Sequence, residues 1–250
     1  MELAICHVSI APLRAENSDR SEMISQLLFG ECMEILEIKD SWTWIRCLHD
    51  NYEAWIDNKQ YIKLNKEQVN SHISLQSSHV CHLGNKTMKL VLDSNLPNFD
   101  GINFSIEKTK YLYNGKAIEV AKNPISNLRK IALKYEGAPY LWGGRNPFGI
   151  DCSGFTQMVY KFFSISLPRD AYQQASIGET LNFVGEAREG DLAFFGKEDK
   201  ITHVGICLGN NEIIHASGMV RIDTLDHVGI YNKENKKYSH FLKIIKRVNL

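Results

Sequence analysis

Polar and hydrophobic residues alternate in short runs over the first part of the chain, with polar turns between the runs. The alternation is clearest in "CMEILEI" and "WTWIRCL", and a period of two residues is typical of a strand with one buried face. Several short strands joined by turns predict a small all-β barrel over residues 1–65. Similar runs, broken by Pro97, Gly101 and Gly115, predict a second small β unit over residues 66–122.

Helical spacing replaces the alternation after residue 122. A polar linker, "AKNPISN", precedes two predicted helices, "LRKIALKYEG" and "DCSGFTQMVYKFF", each with apolar residues spaced so that one side is buried. A third, short helix is predicted in "RDAYQQASIG". The runs "LAFFG", "HVGICLG" and "EIIHAS" predict strands, the last two joined into a hairpin by "GNN". Helices followed by an antiparallel sheet indicate an α+β domain over residues 123–250.

Composition and charge narrow the class of protein. The 250 residues carry 29 basic and 29 acidic side chains, so no global field favours nucleic acid or an anionic membrane as a partner. The N-terminus lacks a basic region followed by an apolar run, which predicts a cytoplasmic protein unless a leader was removed. The six cysteines form no C-x-x-C pair, so five of them are expected to be small buried hydrophobes in a reducing compartment.

Cys152 is the exception, because it stands where a glycine-rich loop turns into a helix. The positive end of a helix lowers the pKa of a thiol, and the free N–H groups there stabilise an oxyanion. Nearby glycines, among them Gly144 and Gly149, would let a substrate backbone approach closely. The sequence therefore predicts a nucleophile at this position.

Two histidines on the predicted hairpin supply a candidate base. If "GNN" forms a three-residue loop, Leu208 faces Glu212 and Gly205 faces His215. His203 and His215 then become diagonal neighbours on one face of the sheet, which suits a general base and the group that orients it. Taken singly, a buried cysteine is usually a packing residue and a strand histidine usually has no catalytic role. Their joint occurrence favours catalysis.

The motifs "DCSGF", "EGDLAFF", "THVGI" and "IIHAS" resemble the NlpC-type cysteine peptidases, papain-like enzymes that cut peptidoglycan stem peptides, over residues 124–250. The resemblance implies that Cys152 is the nucleophile, His203 the base and His215 the third triad member, with Tyr140 assisting the oxyanion site. It implies no metal or organic cofactor. The segments "LRAENSDRSEMISQLLFGE" and "DNYEAWI" resemble bacterial Src-homology-3-like barrels. The expected fold is α+β: a papain-like domain preceded by one or two such barrels.

The segments "LWGGRNPFGIDCSGF" and "LPRDA" more closely resemble the γ-D-glutamyl-L-diamino acid endopeptidase branch (dipeptidyl-peptidase VI). This branch recycles murein tripeptides or tetrapeptides with a free N-terminal L-alanine and releases L-Ala-γ-D-Glu. The resemblance implies that Asp170 anchors the amine and that Glu22 and Tyr52 close the same subsite. It places four further residues at the substrate: Trp142, Asp151, Ser153 and Arg169. Ala171 stands where a serine is expected, which removes a hydrogen bond to the γ-D-Glu part.

Three other functions remain open at this point. A secreted hydrolase could cut intact murein, with the barrels binding the cell wall. An inactive domain could serve as a binding module, although the intact triad positions argue against this. A thioester intermediate also permits acyl transfer to an amine. The sequence leaves open the choice between L-lysine and diaminopimelate, and the oligomeric state.

Overall fold

A computed structural model describes residues 1–66 and 68–248. The chain divides into two compact units. The first unit comprises Met1–Asn123 together with Trp142–Pro147, and the second comprises Pro124–Leu141 together with Phe148–Leu250. Over the described ranges, no helix has both the length and the apolar character needed to cross a membrane.

The first unit is built almost entirely from strands. These are β1 Glu2–Cys6, β2 Ile10–Arg14, β3 Met23–Leu28, β4 Cys32–Lys39, β5 Trp42–Cys47, β6 Glu53–Asp57, β7 Tyr61–Leu64, β8 His72–Ser74, β9 Ser78–Leu83, β10 Lys86–Val91, β11 Asn103–Ile106, β12 Thr109–Leu112, β13 Ala117–Glu119 and β14 Arg145–Asn146. Single 3-10 turns follow two of them, at Asn58–Gln60 and Val120–Lys122.

Strands β1 to β7 form one antiparallel sheet in the order β3-β2-β6-β5-β4-β1-β7. The predicted alternation is present, since Ile45 is fully buried on β5 and Ala54 and Ile56 are fully buried on β6 while their neighbours are less so. A second sheet has the order β10-β9-β12-β11. Phe29, from the turn after β3, packs edge-on against Phe104 and Tyr111 of that sheet, with ring centroids 5.4 and 5.6 Å apart.

Trp142–Pro147 packs with the strands of the first unit, although the residues on both sides of it belong to the second. Gly143 has a φ of 78°, and a Cβ there would lie 2.3 Å from the Met23 carbonyl oxygen, so only glycine fits. Arg145 is 1% exposed and forms two contacts with the Glu31 carboxylate, at 2.8 and 3.2 Å. A buried ion pair therefore fastens this segment to β3 and the turn that follows it.

Replacing Glu31 with glutamine should lower the free energy of unfolding by about 3 kcal/mol, because it leaves the Arg145 charge buried without its partner. Chemical denaturation of the full chain measures the loss. The matched control is Glu34→Gln, whose partner Arg46 is 39% exposed, and this variant should be nearly as stable as the parent chain. Equal stability of the Glu31 and Glu34 variants would contradict the prediction.

The second unit contains the helices and a closed sheet. The helices are α1 Leu128–Ala132, α2 Cys152–Lys161 and α3 Ala171–Gln174, with 3-10 turns at Ile125–Asn127, Leu133–Tyr135 and Val184–Glu186. The strands are β15 Gly149–Ile150, β16 Glu179–Leu181, β17 Leu192–Lys197, β18 Lys200–Gly209, β19 Glu212–Ser217, β20 Met219–Leu225, β21 Gly229–Asn232 and β22 Lys237–Arg247.

Strands β17 to β22 follow one another in chain order, and β22 pairs with both β17 and β21, so the sheet closes on itself. The enclosed core includes Ala193, Phe195, Cys207, Ile213 and Ile230. Helices followed by an antiparallel sheet confirm the predicted α+β class.

The expectation that α2 buries only one side is wrong. Every residue from Cys152 to Tyr160 is buried, including polar ones. Thr156 donates to the Gln174 side-chain oxygen at 2.7 Å, and Gln157 donates to the Leu167 carbonyl at 2.8 Å. Internal hydrogen bonds of this kind let polar residues lie inside the protein, and hydrophobic spacing alone does not show them.

The hairpin between β18 and β19 also differs from its prediction. Asn210 and Asn211 have φ values of 50° and 61°, so the turn has two residues and not three. A register shift between Cys207 and Gly209 places Gly209 opposite Glu212, where Leu208 was expected. The same bulge restores the predicted pairing of Gly205 with His215. The shorter turn and the bulge compensate for each other, so the predicted pairing holds at His215.

Candidate active site

Cys152 is the first residue of α2, as the sequence predicts. Asp151 caps the helix, because its side chain accepts a hydrogen bond from the Gly154 N–H at 2.7 Å. Cys152 is 6% exposed, so the sulfur lies in a largely buried position beside the first N–H groups of the helix. This position can supply both a nucleophile and an oxyanion site.

A buried arginine holds the start of this helix. The two terminal nitrogens of Arg169 bond both oxygens of the Asp151 carboxylate, at 3.1 and 2.5 Å. One of those nitrogens also donates to the Ser153 hydroxyl at 2.9 Å. The structure therefore joins three of the predicted substrate residues into one network that orients the residues on either side of Cys152. Their contact with substrate stays a prediction.

The two predicted histidines meet as expected, and a carboxylate extends the array. His203 Nε2 lies 2.8 Å from His215 Nδ1, and His215 Nε2 lies 3.1 Å from Asp223 Oδ2. Asp223 was missed in the sequence. Arg221 is opposite His215 in the sheet, so Asp223 is its diagonal neighbour, just as His215 is to His203. The same register argument, carried one strand further, would have found it.

The carboxylate determines which nitrogens carry protons. An ionised carboxylate only accepts, so His215 Nε2 must donate to Asp223 and His215 Nδ1 must accept from His203 Nε2. His203 Nδ1 is then left with a lone pair, which is what a general base needs. Burial raises the pKa of Asp223, but hydrogen bonds from His215 and Arg221 outweigh it and keep that pKa below its usual value. Asp223 therefore sets the tautomers of both histidines.

A third imidazole covers the base. The ring of His240, on β22, stacks on His203 with centroids 4.0 Å apart and planes 20° apart. Burial, the His215 ring and the His240 ring, in that order, lower the pKa of His203 well below 6.5. Burial also lowers the pKa of His240 to about 4. No local pattern marks His240, since its position depends on how β22 closes the sheet.

Contrary to the expectation from the sequence, the pKa of the Cys152 thiol is not lowered at the helix terminus. Burial, and then the charge of Asp151, raise the pKa of the Cys152 thiol to about 12, although the Val204 N–H opposes this. The lowered pKa of His203 keeps its imidazole neutral as well, so both groups are uncharged at neutral pH. The proton of the Cys152 thiol therefore moves to His203 only when the sulfur attacks. The negative charge on sulfur and the positive charge on the imidazolium then stabilise each other.

Tyr140 is the predicted oxyanion residue. Burial, and after it the charges of Cys152 and Asp151, raise the pKa of its hydroxyl to about 12. The hydroxyl therefore stays protonated at neutral pH and can donate to a developing oxyanion. Its backbone is held by a hydrogen bond from its N–H to the Gly218 carbonyl at 2.9 Å.

The remaining predicted residues are distributed over the two units. In the second unit, Asp170 immediately precedes α3, and its N–H donates to the Gln173 side chain at 3.2 Å. In the first unit, the Trp142 indole donates to Glu22 at 2.6 Å, so two of the predicted residues do meet. The Tyr52 N–H donates to Asp50 at 3.0 Å. Ala171 is 9% exposed at the first position of α3. Their roles with substrate stay predictions.

The three imidazoles could also hold a metal ion, since ring nitrogens of His203, His215 and His240 lie within 4.8 Å of one another. However, the hydrogen bond between His203 and His215 occupies two nitrogens that a shared ion would need. The arrangement suits proton transfer better than metal binding.

A thiol at a helix N-terminus beside the N–H of Val204, the residue that follows His203 on β18, together with a His–His–Asp relay on an antiparallel sheet, defines a papain-like cysteine peptidase domain. The comparisons agree. Residues 137–239 match the NlpC/P60 family, and residues 13–60 match the bacterial dipeptidyl-peptidase Sh3 domain.

Two curated relatives show how far the likeness extends. The chain is 28% identical over 236 residues to the gamma-D-glutamyl-L-lysine dipeptidyl-peptidase of Bacillus subtilis, a match that covers 84% of this chain and 78% of the relative. It is 41% identical over 108 residues to the bifunctional muramidase/DL-endopeptidase CwlT of Bacillus subtilis. That second match covers 42% of this chain, and the chain spans only 32% of the length of CwlT.

Solved structures share the fold. An NlpC/P60 family protein from Bacillus cereus superposes with a TM-score of 0.82 at 20% identity, covering 98% of this chain and 99% of the other. An NlpC/P60 endopeptidase from Photobacterium damselae has a TM-score of 0.74 at 15% identity, covering 97% of this chain and 70% of the other.

Proposed function

We propose that the protein hydrolyses the γ-D-glutamyl–diamino acid bond of murein tripeptides or tetrapeptides whose N-terminal L-alanine is free, releasing L-Ala-γ-D-Glu. One observation carries the proposal: a relative named gamma-D-glutamyl-L-lysine dipeptidyl-peptidase aligns over 84% of this chain, and not only over its peptidase domain. The relay at Cys152 supplies chemistry suited to amide hydrolysis. A recycling role in the cytoplasm forms part of the proposal.

The mechanism follows from the proton positions. His203 Nδ1 takes the Cys152 proton while the sulfur attacks the γ-carbonyl carbon. The oxyanion accepts hydrogen bonds from N–H groups at the start of α2 and from the Tyr140 hydroxyl. The His203 imidazolium, stabilised through His215 and Asp223, then protonates the departing amine as the C–N bond breaks. A water molecule, deprotonated by His203, hydrolyses the thioester and regenerates the thiol.

The restriction to a free N-terminus requires an anion that binds the ammonium group. Asp170 is the proposed anchor, because a carboxylate that receives a desolvated ammonium gives a strong, charge-assisted hydrogen bond. Acetylating the alanine removes the charge and adds bulk. Glu22 and Tyr52 are predicted to contribute to binding of the free N-terminus. Variants at these two positions can be tested with the free and the acetylated peptide.

The experiment compares L-Ala-γ-D-Glu-meso-diaminopimelate with its N-acetylated form, using chromatography to quantify the released diamino acid. We expect kcat/KM for the acetylated peptide to be at least about 100-fold lower, because acetylation removes the charge-assisted hydrogen bond to the half-buried Asp170 carboxylate. In Asp170→Asn, the discrimination should shrink because the free peptide is cleaved more slowly. Equal turnover of the two peptides by the parent chain would overturn the proposal.

The likeness to CwlT makes intact peptidoglycan the substrate to exclude. The same preparation is incubated with purified cell walls and the soluble peptides are measured. Negligible release from walls, together with turnover of the free tripeptide, supports the recycling reaction. Release from walls at a rate comparable to that of the tripeptide contradicts it.

A further inference from the structure

A groove of about 410 Å³ lies in the second unit beside the catalytic base. We call it the hairpin groove, because the turn between β17 and β18 forms one wall and β22 forms the other. The side chains that matter for its chemistry are Lys197, Glu198, Lys200, Thr202, His240 and Phe241. The mechanism above uses none of them.

Two of these residues connect the groove to the chemistry. Thr202 immediately precedes His203 on β18, and His240 stacks on the His203 ring at 4.0 Å. His203 must protonate the amine that leaves, so the diamino acid bearing that amine has to lie next to His203 when the bond breaks. Through Thr202 and His240 the groove adjoins His203, the residue that protonates the leaving amine in this mechanism.

The groove presents two positive charges and one negative charge. Lys197 and Lys200 face each other across the β17–β18 ladder, and Glu198 lies in the turn between them. All three are exposed. Over the part of the chain that the structure describes, none of the three forms an ion pair with another side chain. Their charges are available to a ligand.

The two diamino acids of murein differ in the charges that they would bring. In a tripeptide, a C-terminal diaminopimelate has two carboxylates and one ammonium group, because its other amine is in the scissile amide. A C-terminal lysine has one carboxylate and one ammonium group. Two lysines and one glutamate complement the first set one for one. Phe241, 51% exposed, offers an apolar surface for the methylene chain.

We propose that the hairpin groove binds the departing diamino acid and selects diaminopimelate over lysine through Lys197, Lys200 and Glu198. This rests on the proposed hydrolysis of γ-D-glutamyl–diamino acid bonds. Because the three side chains are exposed, salt should screen the selection, and it should weaken as ionic strength rises.

The test measures kcat/KM for two tripeptides, L-Ala-γ-D-Glu-meso-diaminopimelate and L-Ala-γ-D-Glu-L-lysine, and for L-Ala-γ-D-Glu linked through its γ-carboxyl to aminomethylcoumarin. The parent chain should prefer diaminopimelate by about tenfold, the discrimination expected from one well-placed additional charge pair near a surface. In Lys197→Glu/Lys200→Glu the ratio should fall to one or below, and in each single Lys→Ala variant by an intermediate amount. Lys233→Glu, an exposed lysine outside the groove, is the matched control and should keep the parent ratio.

Failure of the groove and failure of the proposed function are distinguishable. If the parent chain releases coumarin and cleaves both tripeptides with equal kcat/KM, the function stands and the groove proposal is overturned. A preference for diaminopimelate that survives the double charge reversal overturns it as well. If the parent chain cleaves neither tripeptide nor the coumarin amide, the proposed function itself fails.

Discussion

Replacing Cys152 with alanine should abolish hydrolysis of the tripeptide, lowering kcat/KM by about 10⁴-fold or more, because no other group can form the acyl intermediate. Cys81 and Cys207 give no substitute, since they are 1% and 2% exposed. Release of the diamino acid, followed by chromatography, measures the loss. Cys152→Ser should be almost as inactive, because His203 is positioned to deprotonate a thiol and not the less acidic serine hydroxyl.

The matched control for this variant is Cys207→Ala, which removes a buried sulfur from the core of the same sheet. Its turnover should stay within about twofold of the parent chain, despite some loss of stability. Circular dichroism of both variants establishes that they fold. Hydrolysis by a folded Cys152→Ala at a rate near the parent rate would show that the nucleophile has been misassigned.

The second large effect is expected at Asp223. In the parent chain, Asp223 Oδ2 accepts from both Arg221 Nε, at 2.9 Å, and His215 Nε2, at 3.1 Å, while Oδ1 accepts from Arg221 Nη2 at 3.1 Å. In Asp223→Asn, either orientation of the amide places its NH₂ group against an N–H donor, and the negative charge that stabilises the His203 imidazolium through His215 is removed. We therefore expect kcat to fall about 10³-fold with little change in KM.

A pH profile separates this role from a structural one. In the parent chain the base works when neutral, and the pKa of His203 is lowered, so activity should persist below pH 6.5 and be lost only as pH falls through the lowered value. In Asp223→Asn, kcat should be low across that whole range, whereas Asp223→Glu should recover part of it. Asp226→Asn, which alters a carboxylate bonded by Tyr238 on the same sheet, is the control and should behave like the parent chain. A kcat for Asp223→Asn near that of this control would contradict the relay.

Sequence reasoning placed His203 and His215 together because their proximity depends on local register. His203 and His215 are twelve residues apart on one hairpin, and a pairing rule is enough to place them on one face. The turn length was wrong, yet a compensating bulge near Leu208 left Gly205 opposite His215. The pairing of Gly205 with His215 was therefore predicted correctly although the turn length was not.

His240, which was missed, depends on long-range closure. His240 reaches His203 only because β22 pairs with β17, a contact between strands about forty residues apart, and no periodicity in the sequence records such a pairing. Buried polar networks were not predicted either, because the spacing of apolar residues does not show which polar residues have partners inside the protein. The spacing of Phe155 and Met158 predicts a helix with one buried side, but Thr156 and Gln157 lie inside with their own partners.

The assignment of Trp142–Pro147 to the first unit has a consequence for dissecting the protein. A truncated chain beginning at residue 124 would keep every residue of the Cys–His–His–Asp relay and yet carry Arg145 without Glu31, together with Trp142 without Glu22. Such a fragment would expose the Arg145 charge, which is 1% exposed in the full chain, only seven residues from Cys152 along the sequence. Exchanging the first unit for another would likewise require replacing this six-residue stretch.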